Sequence, residues 1–572
     1  MTLPATIKTM TKRLSRRVLL TLFLPSFLLP VLAQQPALPE QKDWQKLAND
    51  DIVLSAMRAE LERSKSQLKM EQVAAPYYIE YRVFDVDAYS AEAAFGALRS
   101  DVRSRLRILR VVVRIGDYKQ DSYFGMGQGI LDFMPLDNDM LALRHQLWLA
   151  TDRAYKAAAE SLTAKQAQLK QFTIDEPVDD FAHADPVQSI SPLVSLEFDP
   201  EAWKKMLQDA GDVYKTDPQI ETFDSNLRFE AINEYFVNSE GTVLRSGQNL
   251  YQMYLACSTQ APDGMSLERS NGFVVTNIKE LPSAAEFVER AKRIAGTLKD
   301  LRDAPVVDEE YRGPVWLSAD ASATVVADLV GENVLGRRPE LGKNARTTGG
   351  FATSYKSRVL PEFLSVVADP TISSYRGQSL VGHYAIDDEG VAAQRVSLIE
   401  KGTLVNYLLG REPIRGFPQS NGHGRAPLPL AAAAMAGSPA PHNSNLIVTS
   451  SEPLAKDALK SKFMDLCRQR DLPYCYRVET FGPKLTPRLL YRVWTKDGHE
   501  ELVRGGSFGD LDTRALRSDL VAAGDDFYVD NHPANVPHSI VAPSVLFDEL
   551  EVKRASVNKE KLPEYPAPPL GK

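Results

Sequence analysis

Apolar residues return every three or four positions between Ile52 and Leu68, at Leu54, Met57, Leu61 and Leu68, and this spacing predicts a helix. Strands are expected at Tyr77–Asp85 and Ile108–Ile115, the second carrying the β-branched run Val111-Val112-Val113. A long charged helix over about Asp139–Gln171 follows, with Leu141, Leu143, Leu147, Leu149, Ala154 and Ala158 as its apolar positions. Arg228–Val237 and Thr242–Cys257 read as strands around the turn-forming quartet Asn238-Ser239-Glu240-Gly241. Ser283 opens a further helix, with Glu286 placed to complete a capping box and Phe287, Val288, Ala291, Ile294 and Leu298 as its core-facing stripe. Gly313–Leu317 reads as a short strand and Ala321–Leu335 as a helix. Beyond it, short apolar runs are separated by Gly, Pro and Asp. Val396–Ile399 and Leu404–Leu409 flank Lys401-Gly402 as a hairpin, one helix spans Ala455–Arg468, and a last strand covers Leu546–Lys553.

This pattern is α+β: an N-terminal α/β domain followed by a large β-rich C-terminal domain. The chain's 572 residues are enough for several cores. The expected organisation is a signal peptide at 1–33, a linker at 34–44, an N-terminal α/β domain at 45–175, a middle domain at 176–310, the β-rich domain at 311–556 and a Pro-rich tail at 557–572. The signal assignment rests on Lys8, Lys12, Arg13, Arg16 and Arg17 ahead of the apolar run Val18–Leu32, with Val31-Leu32-Ala33 as the cleavage region. Pro25 and Pro30 interrupt that run, which argues for a cleaved leader over a membrane span. Ser15-Arg16-Arg17-Val18-Leu19-Leu20 also resembles a twin-arginine signal. Export to the periplasm and no membrane span after cleavage are the expectations.

The net charge of −8 and the lack of a long basic block argue against nucleic-acid binding through a general electrostatic footprint. Cys257, Cys467 and Cys475 are too few for a disulfide framework. Export would permit a Cys467–Cys475 bridge. The local pattern argues against one, because Cys467 belongs to the apolar face of a helix while Cys475 alternates with Arg477 and Glu479 on the polar side of a strand.

No His-Glu-x-x-His zincin helix occurs, and His499-Glu500 is followed by Val503 and Arg504. His532 and His538 are separated by Pro533 and Pro537, which rules out helical presentation. A non-helical metal site would draw on His423, His442, His532 and His538. Two other segments carry candidate chemistry. Asp387-Asp388-Glu389 sets three carboxylates in a row, read either as a site with raised pKa or as a solvated strand end. Ser420-Asn421-Gly422-His423-Gly424-Arg425 sets two glycines around a histidine, read either as a backbone cradle or as an ordinary turn.

Gly313-Pro314-Val315, the helix running into Gly336-Arg337-Arg338-Pro339, Val359–Val366, Asp387–Gly390, Ser420–Arg425 and Val541–Asp548 together resemble the C-terminal half of TldD/PmbA proteins over about residues 230–555. The resemblance implies a metallopeptidase-related fold. It also implies pairing as a homodimer or as a heterodimer with a TldD/PmbA relative, around a chamber that takes unfolded peptide or protein segments. Zinc-bearing members carry His-Glu-x-x-x-His on the helix after the Gly-Pro-Val strand, with a late cysteine completing the site. In this chain Ala327, Asp328 and Glu332 stand at the histidine, glutamate and second histidine positions, and no cysteine follows Cys475. The stretch matching the late cysteine contains His532 and His538. With imidazole and thiolate donors replaced, no zinc or other cofactor is expected. The expected function is that of a non-catalytic peptide-binding or partner subunit, with Asp387, Asp388, Glu389, Ser420, Asn421, Gly422, His423, Gly424 and Arg425 lining a peptide groove. The alternatives are an active metallopeptidase using Asp328, Glu332, His423, His532 or His538, and a structural envelope protein.

Overall fold

The computed structural model describes residues 43–173, 176–427, 437–532 and 536–556, with 562, 563, 565 and 568 beyond. The expected signal peptide, most of the linker and most of the tail lie outside the described residues.

The helices α1 (Trp44–Asp50) and α2 (Ile52–Gln67) lead into two long strands, β1 (Tyr78–Ala94) and β2 (Ala97–Arg114). Asp51 starts α2 by accepting from Leu54 N at 3.0 Å. β1 extends well past the expected Asp85, because its second half pairs residue for residue with both β2 and β5. Then come β3 (Ile130–Phe133), α3 (Met140–Leu169), β4 (Gln188–Ile190), α4 (Pro200–Gly211), β5 (Thr222–Asn238), β6 (Val243–Gln260), β7 (Ser266–Val275) and α5 (Ala284–Asp303). These strands form one sheet in the order β3-β2-β1-β5-β6-β4, with β7 on β6. The boundary expected at 175 and 176 therefore falls between strands of a single sheet. The β5–β6 turn follows its sequence: Asn238 Oδ1 accepts from Glu240 N, Gly241 N and Thr242 N at 3.0–3.1 Å, and Gly241 takes φ 108°, open only to glycine at low cost. The capping box of α5 also forms, with Ser283 N donating to Glu286 Oε2 at 2.9 Å and Glu286 N to Ser283 Oγ at 3.4 Å.

The second half opens with β8 (Tyr311–Leu317) and α6 (Ala319–Leu329). Helix α6 ends earlier than the expected Leu335, where Asn333 Nδ2 takes the Leu329 carbonyl at 2.9 Å and a tight turn follows. Next are β9 (Leu364–Ala368), the small pair β10 (Ser374–Tyr375) and β11 (Gln378–Ser379), the hairpin β12 (Val396–Glu400) and β13 (Thr403–Leu404), and the pair β14 (Gly424–Arg425) and β15 (Ala440–Pro441). The remainder is β16 (Asn445–Ser450), α7 (Lys456–Gln469), β17 (Tyr474–Gly482), β18 (Thr486–Trp494), β19 (Glu500–Val503), β20 (Gly506–Phe508), α8 (Thr513–Ser518), β21 (Leu520–Ala523), β22 (Tyr528–His532), β23 (His538–Ala542) and β24 (Val545–Arg554). Two sheets result. One runs β13-β12-β9-β16-β23-β22, leaving β22 outermost. The other runs β19-β18-β17-β8-β24-β20, with β21 on β24. Their apolar faces and those of α6 and α7 share the largest core.

The Cys467–Cys475 expectation is corrected. Both residues are fully buried in that core, their Cα atoms lie 6.2 Å apart, and the sulfurs are bonded. The alternation of β17 is overridden because α7 packs over the start of this strand, so Cys475 meets the helix instead of water. Cys257 is a buried free thiol within a hydrophobic core.

Candidate functional site

Helix α6 is set at its start by Ser318, whose hydroxyl accepts from Ala321 N at 3.1 Å and donates to the Glu479 carbonyl of β17 at 2.6 Å. Its core side carries Ala321, Ser322, Val325 and Val326. Helical spacing then puts Asp320, Thr324 and Asp328 together on another side. Strand β22 alternates Tyr528, Asp530 and His532 onto one face, and α6 packs against both β22 and β23. The result is a polar cleft between a helix and an edge strand.

Its electrostatics follow from these neighbours. The His532 imidazole lies 2.9 Å from Asp530, directly across the strand pair from His538, and the two rings stack at 4.7 Å. Burial pulls the His532 pKa down, but the Asp530 and Asp328 carboxylates outweigh it and the net shift is upward. Burial and the His532 charge lower His538 to about 4. His442 also falls to about 4, through burial and then the Arg337 and Arg425 charges. At the other end of α6, burial and the Asp530 and Glu479 carboxylates push Asp320 up to about 7, against the pull of Arg269. Asp328 is raised by burial, with His532 opposing. A carboxyl with a pKa of about 7, as Asp320 has, can donate a hydrogen bond to a bound polar group or accept one from it.

The zinc positions do not fit a metal. Ala327 has no donor and packs against the core. Glu332 is exposed and leans on Arg337 at 3.6 Å. Among the described residues, no three His, Cys, Asp or Glu side chains converge as metal ligands.

The other candidates form a cluster bonded within itself, and His442, whose N–H donates to the His423 carbonyl at 3.1 Å, lies near enough to both Arg425 and His538 to feel their charges. The residues 387–389 and 420–425, expected to line a groove, are tied into a hydrogen-bonded cluster, and all of them but Asp388 and Ser420 are buried. Asp387 is 2% exposed; its carboxylate accepts from Glu389 N, Val391 N and Gly424 N at 2.8–3.0 Å. Asp388 accepts from Arg425 Nε at 3.0 Å and Ala426 N at 2.6 Å. Glu389 accepts from Arg411 N at 2.5 Å. Ser420 Oγ caps the Leu409 carbonyl at 3.1 Å, and the Asn421 amide bonds Leu409 N and the Tyr407 carbonyl at 2.8 Å each. His423 is fully buried, with Nδ1 3.0 Å from the Asn421 carbonyl and Nε2 3.2 Å from Ser444 Oγ, and burial lowers its pKa to about 4. The glycines serve packing: a Cβ on Gly424 would collide with the Glu389 carboxylate, and Gly422 turns at φ 73° against the Ala392 carbonyl. The run Gly505-Gly506-Ser507-Phe508-Gly509 has nucleophile-elbow spacing, but Ser507 lies within β20, paired to β24, and not at a strand-to-helix turn.

Asp320, Asp530 and Arg269 of the cleft carry no motif and stood out nowhere in the sequence. Only the i, i+4, i+8 spacing of Asp320, Thr324 and Asp328 offered a signal.

Residues 310–465 match the family model described as the PmbA/TldA metallopeptidase C-terminal domain. A metalloprotease of Methanocaldococcus jannaschii is 27% identical over 286 residues, covering 48% of this chain and 56% of its own length. The chain thus spans about half the length of that curated relative. In fold, the chain is similar to TldE from Thermococcus kodakarensis (TM-score 0.57, 13% identity, 87% of this chain and 100% of that one). It is also similar to a Thermotoga maritima protein assigned as a modulator of a DNA gyrase (TM-score 0.58, 13% identity, 87% and 100%). A Bacteroides thetaiotaomicron protein with the same assignment gives a TM-score of 0.56 at 13% identity, over 88% and 99%.

Proposed function

The chain belongs to the TldD/PmbA family of metallopeptidase-related proteins, and from that premise we propose that it is an exported, non-catalytic member that binds unfolded peptide and pairs with a copy of itself or a relative. One observation carries the non-catalytic reading: the positions of the family's zinc motif hold Ala327 and Asp328 on α6 and Glu332 in the turn beyond it, with Ala327 packed against the core and Glu332 beside Arg337. Peptide binding is supported by the α6–β22 cleft. β22 is outermost in its sheet, and an extended chain adds to such a strand through main-chain hydrogen bonds whatever its sequence. Export is supported by the basic and apolar N-terminal run and is compatible with the Cys467–Cys475 bridge. Among the described residues, no helix is long and apolar enough to cross a membrane.

The test is metal analysis of the purified mature chain after zinc loading, run beside a cleavage assay on unfolded casein and co-purification from the native host. Substoichiometric zinc, intact casein and a measurable complex with casein peptides are expected. Stoichiometric zinc with chelator-sensitive cleavage would overturn the reading. That outcome would favour a second one, an active metallopeptidase on Asp328, His532 and His538, supported by the Asp328 carboxylate lying near enough to His532 to help raise its pKa. Failure to bind peptide or any relative would favour a structural envelope role.

A further inference from the structure

Nine arginines are buried among the described residues, and eight of them have a carboxylate oxygen within 3.3 Å. Arg269 of β7 is the exception. It is 9% exposed; one terminal nitrogen donates to Thr480 Oγ1 at 3.2 Å, and its Nε has no partner among the described residues. Its neighbour Arg488 adds a second positive charge, held by Ser270 Oγ at 3.0 Å and the half-exposed Glu268 at 3.4 Å. Burial, and then Arg488, push the Arg269 pKa downward, as for a cation short of a counter-charge. A buried charge without a counter-charge is costly on the scale of a domain's whole stability margin. A structural role gives no return for that cost.

The surroundings are shaped for an anion. The β17 ladder shifts register on both sides of Thr480, and such a bulge re-aims a side chain. This one brings the Thr480 hydroxyl to Arg269. Gly482, two residues on, leaves room for Arg488 to lie against the strand. Asp320, the first polar residue of the α6 face of the cleft, is near enough to feel Arg269 yet makes no ion pair with it.

We infer that Arg269, backed by Arg488 and Thr480, is a carboxylate site at the Asp320 end of the cleft, and that it takes the C-terminal carboxylate of a bound peptide. The inference rests on the peptide-binding reading above and names which end of the peptide is recognised. A near-neutral Asp320 beside it can donate to the second carboxylate oxygen.

The test uses the mature full-length chain with N-acetyl-tetraalanine and its C-terminal amide as probes, followed by calorimetry or NMR titration. The free acid is expected to bind roughly tenfold tighter than the amide, the scale of one charge-assisted hydrogen-bond pair. Arg269→Met should abolish that preference, leave amide binding in place and keep or raise the thermal midpoint, since an unpaired buried charge has been removed. Equal binding of acid and amide, a preference surviving in Arg269→Met, or a midpoint sharply lowered by that substitution would each overturn the site and leave the peptide-binding reading standing. No binding of either probe would overturn both.

Discussion

Arg411 joins three parts of the chain, so its removal gives a sharp test of what holds the two halves together. It is fully buried. Its Nε and Nη2 donate to the Ala182 carbonyl at 2.9 and 2.7 Å, and Nη2 also reaches Glu240 Oε1 at 2.7 Å. The guanidinium lies 3.9 Å from the Phe181 ring centre, while the Arg411 backbone N–H holds Glu389. Arg411→Met keeps most of the volume and removes the charge and the donors. Glu240 then keeps Tyr118 at 2.8 Å as its close partner, and the Ala182 carbonyl retains no side-chain donor among the described residues. Breaking one side of a buried pair costs about 3–5 kcal/mol. Adding Glu240→Gln removes the stranded charge and should return about half of that loss. Urea unfolding of the single and double variants gives both numbers, and limited proteolysis at residues 176–190 reports release of the segment carrying Ala182. A single-variant cost below about 1 kcal/mol, or a double variant no more stable than the single, would refute the reasoning.

Three further outcomes are expected. Burial, together with the mutual repulsion of the neighbouring carboxylates, raises Asp387 and Glu389 above the usual carboxyl range. Their contribution to stability is therefore complete below the unfolded-state value of about 4 and lost as pH climbs to the folded-state values of about 7 and about 8; a urea midpoint that falls between about pH 4 and about pH 8, levels off above, and is flattened by Glu389→Gln, checks it. Replacing Cys467 and Cys475 by alanine should cost about 2–3 kcal/mol, the loop-closure term for a short loop, read as a difference between oxidised wild type and variant that vanishes under reductant. Ala327→His, Asp328→Glu and Glu332→His together, with His532 and His538 in the stretch of the late cysteine, should convert the chain to one that retains zinc through gel filtration; no gain would show that restoring the two histidine positions is not sufficient for a metal site.

What the sequence by itself determined is local. The Ser283–Glu286 capping box and the Asn238–Gly241 turn form as read because each is closed by atoms a few residues apart. The α+β class and the helix bearing the altered zinc positions were legible too, since periodicity and motif spacing are properties of short segments. Tertiary structure decided the rest. Cys475 looked solvent-facing until α7 covered its strand. Asp387, Glu389 and His423 looked like surface chemistry, yet they are buried because Gly424, Arg411 and Ser444 arrive from other segments to satisfy them. The cleft is likewise assembled from β7, α6, β17 and β22, which are distant in sequence, and only their packing brings Arg269 near Asp320 with Thr480 as its hydrogen-bond partner and no paired carboxylate among the described residues. Burial and charge pairing depend on which segments meet, and no local pattern encodes that.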